Sequence, residues 1–213
     1  MKTIKGQRVF LNDVLFVMSA GSSFGWSPLN RTSFQKILYL CAALSPIIDM
    51  NWGYDFTNAP YGPFNSDIHL ASDLLVHRRL AEFRAVTVQK DSKIRATYRI
   101  TERGATEVDL ICRLQEEKTR LQWIATIMDV LDIYGLGLIT KLAYQEPTFN
   151  RMRKQNKGGS IDLSLEENRS IELLGRITHV LKEEFSIDLD TKTSSLIAYF
   201  DFLSRGVGRA LPS

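Results

Sequence analysis

With 213 residues, 44% of them apolar and 24% charged, the chain is long enough to bury one or two cores without metal or disulfide staples. Cys41 and Cys112 stand alone, without CxxC spacing or a neighbouring histidine, so neither a zinc site nor a disulfide framework is suggested and both are expected as core residues. The net charge of +3 is small but uneven: from Val76 to Arg103 eight Arg or Lys face three acids, whereas from Ser160 to Ser204 nine acids face four bases, so a polyanion surface is expected in the middle of the chain and not in its C-terminal part.

Asn12 and Asp13 interrupt the apolar stretch near the start, so no secretory leader is read there; no run reaches the length of a membrane span, and a cytoplasmic location is expected. A first helix is predicted over Val9 to Ser19. Asn30 or Thr32 then caps a second, in which Phe34, Ile37, Leu38, Cys41 and Leu44 recur at the spacing of a buried stripe until Pro46 stops it. Trp52, Tyr54 and Phe56 alternate with small or polar residues, as in a short extended segment. The run "NAPYGPFNSDI" makes Pro60, Tyr61, Gly62 and Pro63 a structural turn: the prolines fix φ, and the glycine takes a backbone conformation other residues resist. The ring of Tyr61 is expected to pack on the second helix near Tyr39 or Leu38. Asn65 or Ser66 caps a third helix, with Asp67 in its first turn and Ile68, Ala71, Leu74, Leu75 and Leu80 on its apolar side. Phe83 to Gln89 and Ile94 to Ile100 form a β-hairpin with Lys90, Asp91, Ser92 and Lys93 at its tip, after which Thr101 opens a further helix.

Helix, helix, extended segment, helix, hairpin, helix is the order of a winged helix-turn-helix, so the fold class is mainly α with a small β-hairpin. This domain is placed at residues 1–113, with a helical extension over 114–213. In the extension Leu114, Leu121, Ile124, Met128 and Leu131 fall at heptad-like helical spacing over a run too short for a coiled coil, Gly135 and Gly137 interrupt, and a short helix runs from Leu138 to Tyr144. The basic, glycine-containing segment 151–160 reads as a disordered loop. Two helices follow, Leu165 to Phe185 and Thr193 to Arg205, the second stopped by Gly206.

No catalytic, cofactor-binding or metal-binding set is read. His69 and His77 are eight residues apart, too far for a shared ion of the HExxH kind, and His179 has no Cys or paired carboxylate beside it. Gly135-Leu136-Gly137 lacks the rest of a phosphate loop. Adjacent acids such as Glu116 and Glu117 diverge on a helix and read as solvated faces. An enzyme with a small-molecule substrate is therefore not expected. The cations give the strongest physical signal: Arg78, Arg79, Lys90, Lys93, Arg95 and Arg99 around the hairpin, with Arg151, Arg153 and Lys154 further on, are the candidate nucleic-acid-binding residues. The bland alternative is the polar outer face that any half-buried hairpin needs. The third helix exposes Asp67 and Asp73, two acids that would repel a phosphate-lined groove, which favours a protein-interaction module over a base-reading regulator.

"FQKILYL", "YDFTNAPYGPFNSDI", "DLLVHRRLAEF" and "YRITERG", in that order, resemble the YwgA-like and Panacea (SocA-like) winged-helix families. Lys36, Ile37, Leu38, Tyr39, Tyr61, Gly62, Pro63, Asp73, Leu74, Leu80, Tyr98, Thr101 and Gly104 occupy the matching positions, across about residues 30 to 145. The resemblance implies a non-enzymatic role, most like the small middle component of ABC-three-component (Lamassu-like) anti-phage systems, which stands beside an SMC-like ATPase and an effector such as a nuclease. A DNA-binding transcriptional regulator, and an antitoxin or proteolysis adaptor of the Panacea type, are the alternatives. The helical residues after the basic loop suit a subunit packed into a larger assembly.

Overall fold

The structure, a computed structural model, describes residues 4–53, 55–88, 94–155, 158–185 and 191–206. In chain order the elements are α1 (Ile4–Ser23), β1 (Leu29–Asn30), α2 (Arg31–Leu44), a 3₁₀ turn (Ser45–Ile48), β2 (Phe56–Ala59), β3 (Gly62–Phe64), α3 (Ser66–His77), β4 (Ala81–Val88) and β5 (Ile94–Ile100). They continue as α4 (Glu102–Cys112), α5 (Gln115–Asp132), α6 (Leu136–Gln145), α7 (Pro147–Lys154), β6 (Gly159–Ile161), α8 (Arg169–Phe185) and α9 (Thr191–Arg205). The chain is mainly α with small antiparallel sheets, as expected. It divides into one unit of residues 1–38 and 65–128 and another of 39–64 and 129–213. The cut expected at 113/114 falls between α4 and α5, inside the first unit.

Local chemistry sets the helix starts of the first unit. The Asn30 side chain accepts from the Ser33 amide at 2.9 Å, Asn65 from Asp67 at 2.8 Å and Ile68 at 3.3 Å, and Thr101 from Gly104 at 3.1 Å, each cap contributing about 1 kcal/mol. β1 lies between α1 and α2 and pairs with β5, Leu29 opposite Tyr98, to give the sheet order β1-β5-β4. That third strand completes the wing sheet, and a two-residue element carries no periodicity by which a sequence could show it. The link from α2 to α3 holds the 3₁₀ turn and the β2–β3 hairpin, where a helix-turn-helix ordinarily has about three or four residues. Gln35 bridges the helices instead: its Nε2 donates to the Asn65 carbonyl at 2.6 Å, and its Oε1 accepts from the Asn65 amide at 2.8 Å.

Gly104 marks where α4 meets the end of α3. A Cβ there would stand 2.1 Å from the Leu80 carbonyl oxygen and 2.8 Å from Ile100 Cγ1. The same carbonyl accepts from the Thr101 amide at 3.1 Å, so it cannot move without breaking that bond. Gly104→Ala is expected to destabilise the first unit by about 3 kcal/mol, read as a lower midpoint in denaturant.

Lys36 is 98% buried on α2, and burial lowers its pKa from 10.5 to about 8. Below about pH 8 the ammonium is charged in both folded and unfolded chains, and the desolvation penalty is fully present. Between 8 and 10.5 the unfolded chain binds more protons, so stability rises with pH. Lys36→Met is expected to flatten that rise, checked by denaturant titrations at pH 7 and pH 10.

In the second unit β3-β2-β6 form another antiparallel sheet. The Ala59 and Gly62 pairing closes the β2–β3 hairpin over Pro60 and Tyr61, with Gly62 at a φ of 94°. β6 pairs Gly159, Ser160 and Ile161 with Asn58, Thr57 and Phe56. Segment 151–160 is thus the end of α7 and a strand rather than a disordered loop, with residues 156 and 157 outside the described residues. Its order comes from pairing with the edge of β2, a non-local cause invisible in a Gly-Gly-Ser run. α8 begins at Arg169 because the Asn168 side chain accepts from the Ser170 amide at 3.1 Å; Leu165, expected within the helix, is exposed before it. Cys41 is buried as expected, but Cys112 is exposed at the end of α4. Glu146, wholly buried, caps α7 through the amides of Thr148 at 2.9 Å and Phe149 at 2.7 Å.

Candidate functional site

In the first unit Arg79, Arg99 and Arg103 line one groove of about 660 Å³ with Ser22, Thr101 and two glutamates. Three different elements supply the guanidinium groups: the corner after α3, strand β5 and the first turn of α4. Arg79 has a φ of 60°, the left-handed position that ends α3 and that glycine ordinarily fills. The Thr101 hydroxyl donates to the Arg79 carbonyl at 2.9 Å and fixes that corner. The strain, about 1 kcal/mol, is offset by the helix-ending bond from the Leu80 amide to the Leu75 carbonyl at 2.9 Å. Arg99 Nε and Nη2 reach Glu82 Oε1 at 3.1 and 2.9 Å, and Arg84 Nε reaches the same oxygen at 3.2 Å.

Arg78 is exposed at the C-cap of α3, close in sequence to the groove. Arg95 lies in β5 opposite Thr87, its side chain outside the described residues, as are Lys90 and Lys93 entirely. Arg103, counted in the basic stretch but not among the candidates, lines the same groove from the first turn of α4. If the groove holds duplex phosphates, exchanging Arg79 and Arg99 for Gln is expected to weaken that binding and to lower its salt slope by about two, since each phosphate contact contributes about one. Melting should change by less than about 1 kcal/mol, because these ion pairs are half exposed.

The outer stripe of α3 carries Ser66, Leu70, Asp73 and His77, all exposed, and no Lys or Arg. Leu70 is 48% exposed. Asp73 is not the free acid expected there: it is paired with Arg31 Nη2 and accepts from the Tyr98 hydroxyl at 3.1 Å. Its repulsion of a phosphate is correspondingly reduced. Burial first, then the Arg31 charge, lower the His69 pKa from 6.5, so the ring is neutral at pH 7.

The remaining candidates lie in the second unit. Arg151 Nη1 stands 3.5 Å from Glu167 Oε2, the Arg153 guanidinium lies over the Tyr144 ring at 5.5 Å, and Lys154 is exposed in the last turn of α7. Pro60 is exposed, whereas Gly62 and Pro63 are buried in the hairpin. Tyr61 is 69% exposed, against the expected packing on α2. Tyr39 is committed inward, edge-on to Phe56 with centroids 5.2 Å apart, and a two-residue turn leaves its own side chains off both strand faces.

A cavity of about 770 Å³ beside the 3₁₀ turn is lined by Asp49, Asp55, Asp162, Trp52 and Leu165 among others, with no Lys or Arg, so it does not suit a polyanion. Among the described residues no group of three His, Cys, Asp or Glu is arranged to hold a metal ion, and no single helix is long and apolar enough to cross a membrane. No protein-family model matches the chain and no curated protein matches it, so the family resemblance rests on the residues that carry it.

Proposed function

We propose that this chain is a non-catalytic winged-helix accessory subunit that docks protein partners through α3 and touches nucleic-acid phosphates through its wing. The resemblance to the middle component of Lamassu-like systems extends this to a bacterial anti-phage complex, in which the chain bridges an SMC-like ABC ATPase and an effector nuclease. One observation carries the docking reading: the outer stripe of α3, where a base-reading protein places Arg, Lys or Asn, presents Ser66, Leu70, Asp73 and His77. An exposed leucine ringed by polar groups suits a protein contact. Co-expression with the products of adjacent genes tests it. An ABC-type ATPase should co-purify with the wild-type chain and not with Leu70→Lys; the reading fails if no such partner is retained, or if the variant retains it equally.

The internal pairing of Asp73 favours a second reading, a sequence-specific DNA-binding regulator. Gel shifts with the chain's own promoter region at two salt concentrations decide it, because binding without sequence preference removes that reading.

A further inference from the structure

We propose that Tyr61 and the cations of α7 form a patch for single-stranded nucleic acid, an unpaired base stacking on the Tyr61 ring while Arg153 and Lys154 hold adjoining phosphates. No large apolar side chain among the described residues is more exposed than Tyr61, at 69%. Its backbone is rigid: Pro60 fixes φ, Ala59 pairs with Gly62, and Pro63 lies opposite Asn58. A ring held out on such a tip loses little entropy when it is covered.

Cations stand beside it. α6, which carries Tyr144, packs on β3, and α7 packs on β2, the two strands that the Pro60–Tyr61 turn joins. The Arg153 guanidinium is laid over the Tyr144 ring at 5.5 Å, so Tyr144 acts as a positioning residue for it. Neither Arg153 nor Lys154 has an acidic partner among the described residues, whereas Arg151 has Glu167. An aromatic face beside unneutralised cations is the chemistry that binds unpaired bases and their phosphates, each base stack being worth about 1–3 kcal/mol. A duplex keeps its base faces covered and would use the cations alone; an acidic peptide would likewise leave the ring idle.

The proposal deepens the nucleic-acid part of the proposed function and does not depend on partner docking through α3. Fluorescence anisotropy with labelled oligo-dT and with a duplex of equal length tests it on the whole chain. Oligo-dT should bind more tightly than the duplex, and Tyr61→Ala should weaken oligo-dT binding by about 5- to 100-fold while leaving the duplex unchanged. Tyr61→Trp, which keeps a ring, should restore binding, which separates stacking from a folding defect. Arg153→Gln should weaken oligo-dT binding and reduce its salt dependence. An unchanged oligo-dT affinity in Tyr61→Ala overturns the proposal, as does equal duplex affinity or displacement by polyglutamate as effective as by unlabelled oligo-dT. Loss of partner co-purification in Leu70→Lys bears only on the docking reading; its loss in Tyr61→Ala with oligo-dT binding intact overturns this one.

Discussion

Glu146→Ala is expected to lower the melting midpoint of the second unit by about 10 °C. The Glu146 carboxylate is wholly buried and accepts four hydrogen bonds, from the amides of Thr148 and Phe149, the hydroxyl of Tyr39 and the hydroxyl of Ser170. Ser170 in turn shares a hydrogen bond of 2.6 Å with the Tyr199 hydroxyl. Truncation removes the α7 cap, worth about 1 kcal/mol, and leaves buried donors unmet at about 1–3 kcal/mol each before relaxation. A loss of about 4 kcal/mol follows once part of that relaxes. Glu146→Gln should recover little, because its amide nitrogen would face donors, whereas Tyr39→Phe, which removes one donor, should cost about 1 kcal/mol. A thermal melt followed by near-UV circular dichroism gives the comparison. A midpoint for Glu146→Ala within a degree or two of wild type would mean that the network contributes nothing.

Arg120→Ala should have an effect of similar size in the first unit. Arg120 on α5 donates from Nε and Nη2 to the two carboxylate oxygens of Asp13 on α1, at 2.8 and 2.7 Å. Asp13 is fully buried and the Arg120 side chain only 11% exposed. Removing the arginine takes the bidentate partner from a buried carboxylate, a loss of about 3–5 kcal/mol. Replacing both, Asp13→Leu with Arg120→Met, should recover most of it, because an apolar pair of similar volume carries no desolvation penalty. Urea unfolding of the two single variants and the double variant measures the coupling. Simple additivity of the single losses is the outcome that excludes a buried ion pair.

The parts of this fold that the sequence made legible are those whose cause is local. Asn30, Asn65 and Thr101 cap their helices because a short polar side chain reaches amides two or three residues ahead; order alone placed these caps to within two residues, with Thr32 and Ser66 as the alternatives at the first two. The buried stripe of Phe34, Ile37, Leu38, Cys41 and Leu44 was legible for the same reason, through helical spacing. β1 and β6 were not, since both exist only through pairing with strands distant in sequence.

Charge was misread where a tertiary partner changed it. Asp73 looked like a repulsive acid until Arg31 and Tyr98 were found on it. Glu146, adjacent to Pro147, carried no signal beyond a polar residue at a helix start, yet it anchors the second unit. Among the residues that carry the family resemblance, Lys36, Tyr39, Tyr98 and Pro63 are buried, and Gly104 is where backbone approaches closest. Tyr61 departs from them. Its neighbours explain the turn, but its ring faces solvent, which is why its part in the molecule is sought in binding rather than in packing.

Docking through α3 is tested most directly by a photo-crosslinking amino acid placed at position 70 and, as control, at position 110. Leu110 is equally exposed, at 51% against 48%, but lies on α4 of the same unit. Docking through α3 predicts cross-links to the co-purified ATPase from position 70 and not from position 110. Cross-links from position 110 alone, or from neither position while the complex stays intact, would contradict it.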